Sequence, residues 1–142
     1  MRNLLVQADG GSRGNPGLAG AGAAVIDDAT GEVLAKLGVF VGVSTNNVAE
    51  YHGLIAGLKT AYEIDEDARI HVQLDSKLIV EQMSGRWKIK HPDMKELAQE
   101  AFAVIGARPV VFEWIPREKN TLADSLANRA MDEQRSFETM SR

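Results

Sequence analysis

At 142 residues and 44% hydrophobic composition, the chain is the size of one domain and carries enough apolar residues for a single core. Cysteine is absent, which excludes disulfides, thiolate chemistry and Cys-based zinc or iron–sulfur sites, so any metal must bind through oxygen or through His52, His71 and His91. No apolar run reaches the ~18 residues of a membrane span, and a net charge of −4 argues against indiscriminate nucleic-acid binding.

The start, "MRNLLVQADGG", turns acidic too early for a secretory signal, so a soluble cytoplasmic protein is expected. "NLLVQAD" is a short apolar run followed by Gly10, Gly11, Gly14, Asn15, Pro16 and Gly17; it reads as a strand ending near Asp9 and breaking into a turn. "GAGAAVID" and "GEVLAKLGVFVG" flank the turn formers of "DATG" and read as antiparallel strands two and three. The period then changes. Val48, Tyr51, Leu54, Ile55, Leu58 and Tyr62 recur at spacings of three and four, which predicts a helix over roughly 46–63, with Ser44, Thr45, Asn46 and Asn47 supplying capping oxygens.

"RIHVQLD" reads as a fourth strand ended by Asp75, and "SKLIVEQMSG" as a short helix stopped at Gly85. "HPDMKELAQEAFAVIGA" places Pro92 and Asp93 at the start of a third helix with Met94, Leu97, Ala101, Val104 and Ile105 as its buried stripe. His91, beside Pro92, reads as a helix-start or core contact and not as a ligand. "RPVVFEWIP" is a fifth strand. "NTLADSLANRAMDEQ" is a last helix whose Ala123, Ala127 and Ala130 permit tight packing. "SFETMSR" lacks periodicity, so residues 136–142 are expected to be a frayed tail beyond one domain, 1–135. The order βββαβααβα implies an α/β protein with a mixed sheet and helices on its faces.

Among the acidic residues, Asp9 and Asp75 each follow an apolar strand, and Glu50 lies within the first turn or so of the first long helix. Gly53 and Gly57, three and seven residues after Glu50, leave that helix face bare and able to approach the sheet. Asp124 has the same opportunity beside Ala123 and Ala127. Taken singly, an Asp at a strand end is more often a turn or cap residue. Four carboxylates brought together would repel unless a cation were present, and oxygen ligands without Cys or a His pair favour Mg²⁺ or Mn²⁺ over zinc.

Four blocks, "ADGGSRGNPG", "TNNVAEYHGLIAGL", "QLDSKLIVEQMSGRWKIKHPDM" and "REKNTLADSLANRAMD", together resemble the type 1 ribonuclease H family in its handle-less bacterial and archaeal form. The resemblance runs from Asp9 to about Asp132 in the family's order and spacing. It implies the ribonuclease H fold, with five strands and strand two antiparallel to its neighbours. It also implies that Asp9, Glu50, Asp75 and Asp124 are the catalytic carboxylates, holding two Mg²⁺ ions, for which Mn²⁺ can substitute. The reaction implied is hydrolysis of the RNA strand of an RNA/DNA hybrid to 5′-phosphate and 3′-hydroxyl ends.

Discriminating RNA from DNA requires reading the 2′-hydroxyl. The resemblance places Gly11, Ser12, Asn15, Asn46 and Glu50 along the RNA-strand groove, and Asn15, Thr45 and Asn47 on the DNA strand. Helix capping is the competing reading for Asn46 and Asn47. "GRWKIKH" sets Trp87 among Arg86, Lys88 and Lys90, a pattern suited to packing on sugars while contacting phosphates. Lys77 stands where many members carry Gln. The His-containing loop that many members have before the last carboxylate has no counterpart here. Arg117 or Glu118 is nearest by position, Arg117 being preferred, and Asn120 matches a family position near the metal site.

Two other readings remain open from the sequence: a non-catalytic hybrid-binding domain, and another nuclease or strand-transfer enzyme of the same fold. A monomer is expected. Some similar actinobacterial proteins carry a phosphatase domain after this region, so the resemblance leaves room for one in a full-length protein.

Overall fold

Alternation over residues 3–8 buries Leu4, Val6 and Ala8 and turns Leu5 and Gln7 the other way, the period of two expected of a strand. In the computed structural model, which describes residues 2–141, this is the start of β1 (Asn3–Arg13). It is followed by β2 (Gly17–Asp27) and β3 (Val33–Ser44), then α1 (Asn46–Ile64), β4 (Arg69–Leu74), α2 (Lys77–Met83), α3 (Pro92–Ile105), β5 (Val110–Trp114), α4 (Thr121–Glu133) and β6 (Phe137–Met140). The strands form one mixed sheet in the order β5-β4-β1-β2-β3-β6. β1, β4 and β5 run parallel, and β2 is antiparallel to both of its neighbours.

The expected turn-rich break after Asp9 does not occur there. β1 continues through Gly10 and Gly11 to Arg13, paired with β2 as far as Arg13↔Leu18, and only Gly14–Pro16 form the turn. Gly10 is not punctuation here but a strand residue that lets a helix come close. The tail expected to fray is also ordered: Phe137–Met140 add a sixth strand antiparallel to β3, over Ala35↔Met140 to Gly38↔Phe137. The Phe137 ring lies where a side chain on Gly38 would be, and Arg129 stacks over it at 3.9 Å. These contacts depend on a partner strand almost a hundred residues away, so local periodicity carries no trace of them.

α1 packs on the sheet's main core, where Leu4, Val6, Val25, Ile70, Val72, Leu54 and Leu58 are buried together, and α3 closes it with Met94, Ala98, Ala101 and Ile105. α4 lies against β2, with Ala123, Ala127 and Ala130 buried. Three caps set the helix starts that matter for function: Thr45 Oγ1 accepts the Val48 N–H, Ser76 Oγ accepts the Ile79 N–H, and His91 Nδ1 accepts the Asp93 N–H.

The helices approach the sheet through glycines. A Cβ on Gly10 would overlap the α1 backbone at Ala49 and Glu50, and one on Gly22 would overlap the Ala123 carbonyl of α4. One on Gly53 would sit 2.8 Å from the Asp9 carbonyl oxygen. At Gly11 the nearest atom to an added Cβ, Asn46 Oδ1, is at an ordinary 3.8 Å. Gly10→Ala is therefore expected to cost about 1–3 kcal/mol, while Gly11→Ala stays within roughly 0.5 kcal/mol of wild type. Urea unfolding of the two variants checks this, and equal midpoints would contradict the close-approach account.

Candidate active site

The parallel ladder between β1 and β4 runs from Asn3↔Arg69 to Ala8↔Leu74. Asp9 and Asp75 are the next residue on each strand, so both side chains emerge where the two backbones part. The carboxyl end of parallel strands, at a point of divergence, is where α/β sheets open a crevice. The bare Gly53 face and the contact between Gly10 and the Ala49–Glu50 backbone carry the Glu50 turn of α1 to the same place. As a result Asp9, Glu50 and Asp75 present carboxylate oxygens within 4.8 Å of one another. Asp124, in the first turn of α4, lies outside that trio but lines the same cleft of about 370 Å³, together with Asp9, Glu50 and Arg117.

The cluster is held from behind. The Gly10 N–H donates to Asp9 Oδ1 at 2.9 Å. Asn120, fully buried, donates from Nδ2 to the Ala8 carbonyl at 2.9 Å, tying the segment before α4 to the residue before Asp9. Glu50 Oε2, Asp75 Oδ2 and Asn120 Oδ1 are buried without a hydrogen-bond partner among the described residues.

Burial and mutual repulsion drive these carboxyls toward the neutral form. Burial, then the Asp75 charge, pushes Asp9 from 3.8 up to about 7. Glu50 is raised well above its ordinary value, first by burial and then by the charges of Asp9 and Asp75. Asp75 is raised by burial, an effect opposed by its contact with Asp9, by the Arg117 charge and by Asn120. A site crowded with unpartnered buried acceptors fits a bound divalent cation, which would supply the missing positive charge. The donor set is all oxygen, with no His in the cluster among the described residues, and suits Mg²⁺ or Mn²⁺.

Around the cluster, Asn46 is anchored through its acceptor: Oδ1 takes the Ser12 N–H at 2.8 Å and the Ser12 hydroxyl at 3.1 Å. Asn15 Oδ1 takes the Asn46 N–H at 3.1 Å. Capping of α1 falls to Thr45 and not to the Asn pair. Gly11, Ser12 and Asn46 line the cleft; Thr45 and Asn47 lie at the start of α1, and Asn15 stands in the β1–β2 turn against it. Lys77 is exposed at the start of α2, and Trp87 is half-exposed in the loop before α3. Of the three cations around Trp87, Arg86 is committed to Glu81 at 2.7 and 2.9 Å, while Lys88 and Lys90 face solvent. Arg117 reaches the cleft; Glu118 is exposed and is not part of its wall.

Sequence reading missed Arg13 and Asn128, which also line the cleft. Arg13 pairs with Asp132 at 2.6 Å, and Asn128 Nδ2 donates to the Asp124 carbonyl at 3.0 Å. Their signal was spacing: Arg13 is two strand periods beyond Asp9, and Asn128 is one helical turn beyond Asp124. Ending the first strand at Asp9 hid the former.

A family model described as reverse transcriptase-like matches residues 7–130. The bifunctional protein Rv2228c of Mycobacterium tuberculosis is 53% identical over 130 residues, which cover 91% of this chain and 35% of that protein. The chain thus spans about a third of the length of this curated relative. The solved N-terminal RNase H domain of Rv2228c, fused to maltose-binding protein, superposes with a TM-score of 0.89 at 51% identity, covering 94% of this chain and 96% of that one. LC11-RNase H1, isolated from compost and solved in complex with an RNA/DNA hybrid, superposes with a TM-score of 0.87 at 39% identity, covering 93% of this chain and 99% of that one. With a carboxylate cluster at the parting of two parallel strands and this extent of likeness, the chain belongs to the type 1 ribonuclease H family.

Proposed function

We propose that the protein is an endoribonuclease that hydrolyses the RNA strand of RNA/DNA hybrids with the help of two divalent cations, leaving 5′-phosphate and 3′-hydroxyl ends. The observation that carries this reading is the trio Asp9, Glu50 and Asp75, gathered within 4.8 Å from three different elements with buried, unpartnered oxygens. The hybrid bound by the LC11 relative supports the choice of substrate.

Asp9, Glu50, Asp75 and Asp124 would hold the ions. When bound, Mg²⁺ (or Mn²⁺) supplies Lewis-acid chemistry, lowering the pKa of an attacking water and neutralising charge on the departing 3′ oxygen. The chain's own residues do the selecting. The Asn46 amide, with its oxygen already engaged by Ser12, keeps its NH₂ for the RNA strand, and Gly11 leaves room for close backbone approach to the minor groove. Asn15, Thr45 and Asn47 would hold the DNA strand, with Lys77, Trp87, Lys88 and Lys90 extending that contact along its phosphates. Arg117, which lines the cleft, would assist product release in place of the missing loop His. The protein would act in the cytoplasm as a monomer. A phosphatase domain in a longer form belongs to the same proposal, supported by the bifunctional Mycobacterium relative.

A hybrid labelled on each strand, incubated with Mg²⁺, is expected to lose only its RNA strand, and Asp75→Asn is expected to reduce the rate about 100-fold or more. Binding without cleavage in both Mg²⁺ and Mn²⁺ would instead identify a hybrid-binding module, and cutting of DNA junctions a strand-transfer relative.

The raised carboxyls also set the pH dependence of stability. Between about pH 4 and pH 7, native Asp9 holds a proton that the unfolded chain has released, so this group stabilises the chelated protein at low pH and that contribution is lost as pH rises through about 7. His52, held low by burial, acts in the opposite direction over part of this range. The difference between wild type and Asp9→Asn is therefore the quantity to read. In thermal melts with chelator, wild type should lose stability relative to Asp9→Asn as pH rises from about 5 to about 8, and Mg²⁺ should restore it only in wild type. Parallel pH profiles for the two proteins would refute the assignment.

A further inference from the structure

Asp75 is the single residue between Leu74, the last of β4, and Ser76, the N-cap of α2. The last backbone hydrogen bond on that side runs from the Ile115 N–H to the Leu74 carbonyl at 2.9 Å. One residue further on, the Asp75 carbonyl is taken by a side chain: the Trp114 indole Nε1–H donates to it at 3.1 Å.

Core packing does not account for a tryptophan there. Trp114 ends an edge strand and is 50% exposed, and its indole does not line the cleft. Its place mirrors that of Asn120, whose amide holds the Ala8 carbonyl on the other parting strand. The backbones that carry Asp9 and Asp75 are thus each pinned by a side chain from the 114–120 segment.

We propose that Trp114 is a positioning residue for Asp75: its indole clamps the Asp75 main chain and so holds the carboxylate at the spacing from Asp9 and Glu50 that a divalent cation needs. This rests on the metal-dependent reading of the site. The indole meets Asp75 at its main-chain carbonyl and does not line the cleft. It acts through the Asp75 backbone, as outer contacts fix the aim of a metal ligand.

The protein's two tryptophans provide an internal control. Trp87 is 46% exposed, close to Trp114, and its indole makes no hydrogen bond among the described residues. In NMR spectra of the wild-type protein, the Trp114 indole N–H is expected to exchange with solvent roughly tenfold more slowly than that of Trp87. During a Mg²⁺ titration it should shift with the same midpoint as the Asp75 amide, while Trp87 stays still. Trp114→Phe keeps a ring and removes the donor. Its Mg²⁺ midpoint is expected to rise about threefold to tenfold, with kcat falling at sub-saturating Mg²⁺ and KM for the hybrid unchanged.

Equal Mg²⁺ midpoints in the two proteins would overturn the proposal. So would a raised KM with unaltered Mg²⁺ dependence, since that would make Trp114 a nucleic-acid contact. Should the Phe variant not fold, the wild-type spectra decide alone: a Trp114 resonance that exchanges as fast as that of Trp87, or does not move with Mg²⁺, rejects the clamp. A protein that binds Mg²⁺ without cutting hybrids would remove the ribonuclease reading and leave the clamp to be judged on the midpoints.

Discussion

The site depends on two helix backbones lying closer to a sheet than side chains would allow. α1 reaches β1 because Gly10 and Gly53 have no Cβ to keep it away, and α4 reaches β2 because Gly22 has none. Each missing methyl group moves a helix inward, and each helix carries an acid in its first turns: Glu50 on α1 and Asp124 on α4. Ordinary residues at these glycines would separate the layers to the usual spacing of roughly 10 Å. The carboxylates would then stay solvated on separate surfaces, and the Asp9–Glu50–Asp75 trio could not form.

That closeness has an electrostatic cost. Carboxyls at this separation and depth cannot all ionise without a cation, and three buried acceptors go unpartnered. A folded chain selected for stability alone would place apolar groups or hydrogen-bond donors here. The conflict is concentrated at the site: the adjoining core is built of Leu, Val and Ile side chains that supply the stability, with the Tyr62 hydroxyl its one buried unpartnered side-chain polar atom among the described residues. A local breach of packing and polar-satisfaction rules, set in an otherwise consistent fold, is the physical mark of a functional site.

Most of the architecture was legible because its signals are local. The change of period at Val48, the cap residues before α1 and the Pro92 start of α3 follow from neighbours within a turn or two. What escaped was non-local. The order of residues 137–140 depends on Gly38 and β3, and the extension of β1 past Asp9 depends on β2. At the site, strand ends and glycine faces made Asp9, Glu50, Asp75 and Asp124 candidates, and the family resemblance grouped them as one set. Arg13 and Asn128 carry only the weaker signal of spacing, and Arg13 gains its place only because pairing with β2 extends β1 past Asp9. The competing assignment of Asn46 and Asn47 as caps was resolved only by hydrogen bonds: Thr45 holds the helix start, which leaves the asparagines available.

Under the proposed function, that last point would let a small loop discriminate between two nucleic acid strands without a large basic surface. An amide that is free at both ends rotates and offers donor or acceptor indifferently. Asn46 Oδ1 is saturated by two bonds from Ser12 and Asn15 Oδ1 is oriented by the Asn46 N–H, so Asn46 presents only its NH₂ group and the Asn15 amide is held in one orientation. Thr45 gives a lone pair to the cap and retains its O–H. The strip beside the carboxylates therefore carries pre-oriented donors, which suit phosphate and 2′-hydroxyl oxygens and need little reordering on binding. Under the proposed function, selectivity would come from direction and not from net charge, which is consistent with a chain of charge −4.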